Sequence, residues 1–176
     1  MPFVLDLLRH GAALPAAEGG DGARRLSPAG RRVLERLAER LVGLGWHPDR
    51  VFTSPLVRAR DSARILLDRT APELIPEVME ALGPGGETSD VLEALSAGRV
   101  SRGHVLLVGH QPLLGLLAGV LTAGTSPGFA PGTLVRIEFP DGPAAGGGAL
   151  RPVGHDADLR TPPSAHPRRS STQEKP

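Results

Sequence analysis

The chain of 176 residues is long enough for one compact domain with its own core, and its 40% hydrophobic content is ordinary for a globular protein. It has no Cys, which excludes disulfides, thiolate metal sites and cysteine nucleophiles. The net charge of +1 divides into −1 over residues 1–150 (15 Lys+Arg, 16 Asp+Glu) and +2 over residues 151–176 (five, three), so with 3% aromatic residues nothing resembles the basic, stacking face of a nucleic-acid binder.

Residues 3–11 read Phe-Val-Leu-Asp-Leu-Leu-Arg-His-Gly. The near-continuous apolar run predicts a strand buried on both faces, as in a parallel sheet. It ends abruptly in Arg9-His10-Gly11, at the C-terminal strand end where open α/β sheets bind ligands. Gly11 leaves room for a ligand near the main chain, and a fixed positive charge beside an imidazole suits a phosphoryl group. Taken alone, the tripeptide reads better as a plain strand end and turn; the case depends on what else in the chain converges there.

Residues 12–23 form a small-residue loop without hydrophobic periodicity, expected to be mobile. Ser27-Pro28 then marks a helix start, with Ser27 as N-cap. Val33, Leu34, Leu37, Ala38, Leu41 and Leu44 make one apolar stripe, so the helix should run to about Leu44. A short strand over residues 50–53 leads into Ser54-Pro55 and a second helix over about 56–67, with Arg58 in its first turn. The amide groups of that turn and Arg58 favour an anion, although Arg58 alone reads as one of several solvated helix arginines.

Residues 74–78 suggest a third strand, residues 83–86 a Gly-Pro-Gly-Gly loop, and residues 90–95 a short helix. Residues 104–109 repeat the opening arrangement: a buried strand, a Gly, then His110-Gln111-Pro112, followed by an apolar helix over about 113–121. That apolar stretch is too short to span a bilayer, and the N-terminus does not look like a signal peptide, so no membrane association and a cytoplasmic location are expected. Residues 134–139 alternate like a half-exposed strand, and residues 149–153 should return as its antiparallel partner. From Gly154 periodicity is lost, which predicts one domain over 1–154 and a disordered tail over 155–176. The alternation of strands and helices argues a single α/β domain.

Arg9, His10, Arg24, Arg58 and His110 together supply what phosphoryl transfer needs. A neutral imidazole nitrogen can attack phosphorus, guanidinium groups can hold the non-bridging oxygens, and a second imidazole can donate to them. Arginines beside both histidines repel a cation, so neither a metal site nor a cofactor is expected.

Leu8-Arg9-His10-Gly11, Arg24-Arg25-Leu26-Ser27, Ser54-Pro55-Leu56-Val57-Arg58-Ala59 and Val108-Gly109-His110-Gln111-Pro112 resemble, in order and spacing over roughly residues 1–140, the motifs of the histidine phosphatase superfamily, also called phosphoglycerate-mutase-like. The nearest form is the small phosphohistidine phosphatase of the SixA type. The resemblance implies a three-layer sandwich: a mostly parallel central sheet with helices on both faces and no large helical insertion. It implies that His10 is the nucleophile, that Arg9 and Arg58 grip the phosphoryl oxygens, and that His110 stabilises the same group. Arg24 would join them as a substrate-binding residue with Gly11, Ser54 and Gln111. Arg25 stands where the family usually has Pro, so Arg24 and Arg25 compete for the pocket, with register favouring Arg24.

Relatives that cleave alkyl phosphates use an acidic residue to protonate the leaving oxygen. Glu77 and Glu80 lie in a plausible region, but neither stands in a clear motif, and phosphohistidine-type relatives lack this acid. The expected function is therefore a metal-independent phosphatase, monomeric, acting on phosphohistidine in a partner protein. The alternatives are a phosphatase of small phosphomonoesters, such as sugar or nucleotide phosphates, and a non-catalytic phosphate-binding module.

Overall fold

The computed structural model describes residues 3–15, 19–98, 100, 102–124 and 128–153. The tail expected over 155–176 lies outside the described residues, as do residues 16–18 of the loop expected to be mobile.

Six strands form one sheet: β1 (Phe3–Arg9), β2 (Arg50–Thr53), β3 (Glu77–Val78), β4 (Gly103–Gly109), β5 (Leu134–Phe139) and β6 (Ala149–Val153). Their spatial order is β3-β2-β4-β1-β5-β6. The first four are mutually parallel; β5 runs antiparallel to both β1 and β6. Four α-helices pack on the sheet, α1 (Pro28–Gly43), α2 (Val57–Thr70), α3 (Thr88–Ala97) and α4 (Leu113–Thr122), with short 3-10 turns at Asp21–Ala23 and Glu80–Leu82.

The apolar runs of β1 and β4 are explained by burial on both faces. Phe3, Leu5, Leu7, Val105 and Leu107 pack with α3 and α4 through Val91, Leu95, Leu114 and Leu117. Leu8, Leu106 and Val108 pack with α1 and α2 through Leu34, Leu37, Leu41, Ala63 and Leu66. Two apolar layers with the sheet between them are the expected three-layer sandwich.

Three sequence boundaries move. The third strand shrinks to Glu77–Val78, because only these two residues pair with β2, at Phe52 and Thr53. The second helix begins at Val57 and the third extends to Thr88–Ala97. The loop after Gly11 is pinned on both sides of residues 16–18: Leu14 N donates to Arg25 O (2.9 Å), Ser27 N donates to Ala12 O (2.9 Å), and Ala13 bridges Leu26. Ser27 caps α1 as expected, accepting from Gly30 N at 3.0 Å. Gly30 itself is obligatory there, since a Cβ would lie 2.2 Å from Ala12 O.

Register decides where the site forms. Arg9 pairs with Gly109, and Thr53 pairs with Val108, so β1, β4 and β2 end level with one another. His10 N donates to Gly109 O (3.1 Å) and Ser54 N donates to Val108 O (2.9 Å), which carries the pairing one residue past each strand. His10, Ser54 and His110 thereby emerge side by side at the C-terminal ends of these three strands.

Candidate active site

Two imidazoles 100 positions apart in sequence meet at these strand ends. The His10 and His110 ring centroids are 4.8 Å apart, with the planes inclined at 57°. They line a pocket of about 360 Å³ together with Arg9, Arg24, Arg58, Ala12, Ala13, Gln111 and Pro131.

The pocket selects one tautomer of His10. Its Nδ1 lies 2.7 Å from Gly11 O, and a carbonyl can only accept, so Nδ1 carries the proton and the lone pair sits on Nε2. Arg58 Nε donates to that Nε2 at 3.3 Å. Burial pushes the His10 pKa below its ordinary 6.5, reinforced by the charges of Arg58, Arg9 and Arg24 and only partly opposed by the Gly11 hydrogen bond. His10 is therefore a neutral imidazole with a directed lone pair, the form a nucleophile requires.

His110 is neutral for the same reasons. Burial first, then the neighbouring His10 and Arg58, lower its pKa to about 4. Its Nε2 lies 2.7 Å from Ser54 Oγ. When that hydroxyl donates to Nε2, the ring proton sits on Nδ1, a buried atom with no hydrogen-bond partner. Arg9 Nε is likewise buried without a partner, while Arg9 Nη1 donates to Phe129 O at 2.5 Å.

Arg58 is the third anchor. The solvated-helix alternative fails, because its side chain is only 7% exposed. Ser62, one turn along α2, donates to Arg58 O (2.6 Å) and accepts from Gly11 N (3.0 Å). This bridge holds the first turn of α2 over His10. Between Arg24 and Arg25, only Arg24 lines the pocket; Arg25 is exposed to solvent.

The other expected contacts stand one step back. Gly11 packs against α1, where a Cβ would lie 2.8 Å from Leu34 Cδ1, and its carbonyl orients His10. Ser54 is fully buried and orients His110. Gln111 lines the pocket, but with its carboxamide oriented to satisfy its neighbours it accepts from Phe129 N (3.0 Å) and donates to Pro112 O (3.2 Å). It thus steadies the segment whose carbonyl receives Arg9. Neither Glu77 nor Glu80 lines the pocket. Glu77 pairs with Arg50 at 3.0 Å, and Glu80 is exposed in the turn after β3.

Sequence reasoning missed two residues. Ser62 gave no signal beyond a small polar residue on a buried helix face. Asp21, in a short 3-10 turn over Asp21–Ala23, accepts from both Arg58 and Arg24 at the pocket rim. It sat in a stretch with no periodicity to mark it.

Three guanidinium groups and two neutral imidazoles around one pocket attract a tetrahedral anion and repel a metal cation. Among the described residues, no group of three or more His, Asp or Glu is placed to hold a metal. Beside the pocket, sharing His110 and Gln111, runs a groove of about 420 Å³ between the Gly83–Gly86 loop and Leu113 and Leu116. A larger cavity, about 630 Å³, lies elsewhere, between α3 and residues 141–145, and contains none of the site residues. No described helix is long and apolar enough to cross a membrane.

The profile of the histidine phosphatase superfamily (branch 1) matches residues 5–83. An uncharacterized protein of Picosynechococcus sp. is 38% identical over 124 residues, spanning 68% of this chain and 73% of that protein. The phosphohistidine phosphatase SixA of Escherichia coli is 33% identical over 126 residues, spanning 69% of this chain and 75% of that protein. The solved structure of the protein histidine phosphatase SixA complexed with tungstate matches with a TM-score of 0.75 at 27% identity, covering 89% of this chain and 99% of that one.

Proposed function

The chain belongs to the histidine phosphatase superfamily, and from that premise we propose that it is a metal-independent phosphatase whose substrate is phosphohistidine in a partner protein. The observation that carries this reading is the His10 Nε2 lone pair, directed by the Gly11 carbonyl among three arginines.

In the first step Nε2 of His10 attacks phosphorus in line with the departing group. The N–P bond of the substrate breaks and its electron pair stays on the departing imidazole. With its other nitrogen protonated, that imidazole leaves neutral and needs no acid from the enzyme. Arg9, Arg24 and Arg58 hold the three equatorial oxygens, and His110 donates to one of them as charge accumulates. In the second step water attacks the phosphorylated His10, phosphate departs, and Nε2 recovers its lone pair. Throughout, Nδ1–H remains on the Gly11 carbonyl, which stabilises the positive charge on the phosphorylated ring.

Two further features support a P–N substrate over a small phosphomonoester. An alkoxide leaves poorly without an acid, and among the described residues neither Glu77 nor Glu80 lines the pocket. Asp21 reaches the rim, but hydrogen bonds from Arg58 and Arg24 hold its carboxyl below the ordinary range, so it is ionised and cannot donate. Among the described residues the adjoining groove has no Arg or Lys in its lining, so it offers no cationic side chain to a second phosphate or carboxylate on the leaving group. The relative solved with tungstate, a tetrahedral oxyanion, is itself a protein histidine phosphatase.

The test is turnover of a phosphohistidine-bearing protein against a panel of sugar and nucleotide phosphates. The proposal requires preference for the protein, transient covalent phosphate on His10, and loss of both in a His10→Ala variant. Preferential hydrolysis of the small esters transfers the assignment to them. Phosphate binding without any turnover identifies a non-catalytic binding module.

A further inference from the structure

Asp21 has the wrong charge for a pocket built to take an anion, yet it is tied to two of the three arginines. Its Oδ2 accepts from Arg58 Nη2 at 2.7 Å, its Oδ1 accepts from Arg24 Nη1 at 3.0 Å, and its main-chain carbonyl accepts from Arg58 Nη1 at 2.7 Å. Arg58 Nε is directed at His10 and Arg24 Nε donates to Leu14 O (2.6 Å). Every nitrogen of Arg58 therefore has a partner inside the chain, and two of its three partners come from Asp21.

We propose that Asp21 is a built-in competitor for the phosphoryl group: its carboxylate occupies donors of Arg24 and Arg58 that substrate and product phosphate must share or take over. The inference rests on reading the pocket as a phosphoryl site. Arg9, Arg24 and Arg58 contribute three positive charges, and Asp21 reduces the sum to two, matching a phosphate dianion. Three unopposed arginines would hold product phosphate more tightly and slow its departure. The Asp21 side chain is 57% exposed, so water replaces its lost partners at little cost when an anion enters. The Arg58 side chain, at 7% exposure, has no such replacement and must stay paired.

An opposite reading is that Asp21 merely holds the arginines in place and so promotes phosphate binding. Arg58 keeps the Asp21 main-chain carbonyl and His10 as partners whatever stands at the Asp21 side chain, so little positioning is at stake, whereas a dianion feels a full unit charge well inside one Debye length. The charge effect should therefore win. Asp21→Asn isolates it, because the carboxamide oxygen can still accept from an arginine.

Titration calorimetry with inorganic phosphate, at one fixed ionic strength, compares wild type with Asp21→Asn. The variant should bind phosphate about five- to tenfold more tightly, as expected for removing one partly screened charge from beside a dianion. Its KM for a phosphohistidine-bearing protein should fall in parallel without a rise in kcat, and the gap in affinity should narrow as salt is raised. Asp21→Ser, a second uncharged variant in this exposed turn, should shift affinity in the same direction and serves if the Asn variant does not fold. Unchanged or weaker phosphate binding in the folded variants overturns the inference while leaving the phosphoryl pocket intact. If wild type and variants alike bind no phosphate, the reading of the pocket falls, and this inference with it.

Discussion

Arg58 Nε points at His10 Nε2 across 3.3 Å, so the guanidinium group shares the space that a phosphoryl group would occupy on the nucleophilic nitrogen. One side chain thus both keeps the imidazole neutral and faces the position where charge develops. Replacing Arg58 with Gln should lower kcat by about 10²–10³, the range for losing one preorganised donor. Lys should not restore it, because an ammonium cannot hold Nε2 and two oxygens in one plane. Steady-state kinetics of both variants checks this; a Lys variant near wild-type activity would contradict it.

His10 should titrate below 6.5 in the folded protein. Burial and the Arg58, Arg9 and Arg24 charges all disfavour its protonated form, so the neutral form persists into mildly acidic solution. In Arg58→Gln one of those charges is gone, and the titration should move to higher pH. Proton NMR of the His10 ring in both proteins reads this directly. A wild-type midpoint at or above 6.5, or a downward move in the variant, is the contrary result.

Gly30 lets the segment after His10 lie against α1, with no space for a Cβ beside Ala12 O at 2.2 Å. Gly30→Ala must push residues 11–13 away from the helix, at a cost of about 1–3 kcal/mol for overpacking. Because His10 is adjacent to that segment, the folded variant should also lose activity. Denaturant unfolding and turnover together test it; stability within 0.5 kcal/mol of wild type, on the order of a surface change, would argue against it.

Asp6 organises a second polar cluster, three residues before Arg9 on the same strand. Fully buried, it accepts from Trp46 Nε1 (2.5 Å), His104 Nε2 (2.6 Å) and Arg136 (2.9 and 3.0 Å). Asp6→Ala should destabilise the fold by roughly 3 kcal/mol, the low end for breaking a buried pair, because the Arg136 side chain is 25% exposed and recovers some hydration. Burial raises the Asp6 pKa, but the His104 and Arg136 hydrogen bonds outweigh it, leaving the pKa below 3.8. A lowered carboxyl pKa contributes stability that is present above 3.8 and lost as pH falls through the folded value. His110 acts in an earlier window: its lowered pKa makes the fold lose stability as pH drops from 6.5 toward about 4. Thermal unfolding across this range should show both losses in wild type. The acid-most one should shrink in Asp6→Ala, leaving the part carried by Asp21, whose carboxyl is also lowered; an unchanged loss would mean that Asp6 does not carry it.

Much of the fold was legible because burial on both faces leaves a plain mark. The runs ending at Arg9 and Gly109 are apolar without alternation, and β5 and β6 match the residues expected of them. The third strand reads as longer in the sequence because Leu74 and Ile75 are apolar, but they lie before the pairing begins at Glu77, with Ile75 at 83% exposure. Apolar character alone does not say whether a segment reaches its neighbour.

Local sequence determined the strand ends, the Ser27 helix cap and the presence of two histidines and several arginines beside glycine-marked turns, since these depend on residues close along the chain. Only the tertiary structure decided that β1 and β4 end in register, that Arg24 and not Arg25 faces the pocket, and that Asp21 reaches across 37 positions to Arg58. Those outcomes depend on which strands pair and how α2 packs over them. They are distances between residues far apart in the chain, which no local pattern encodes.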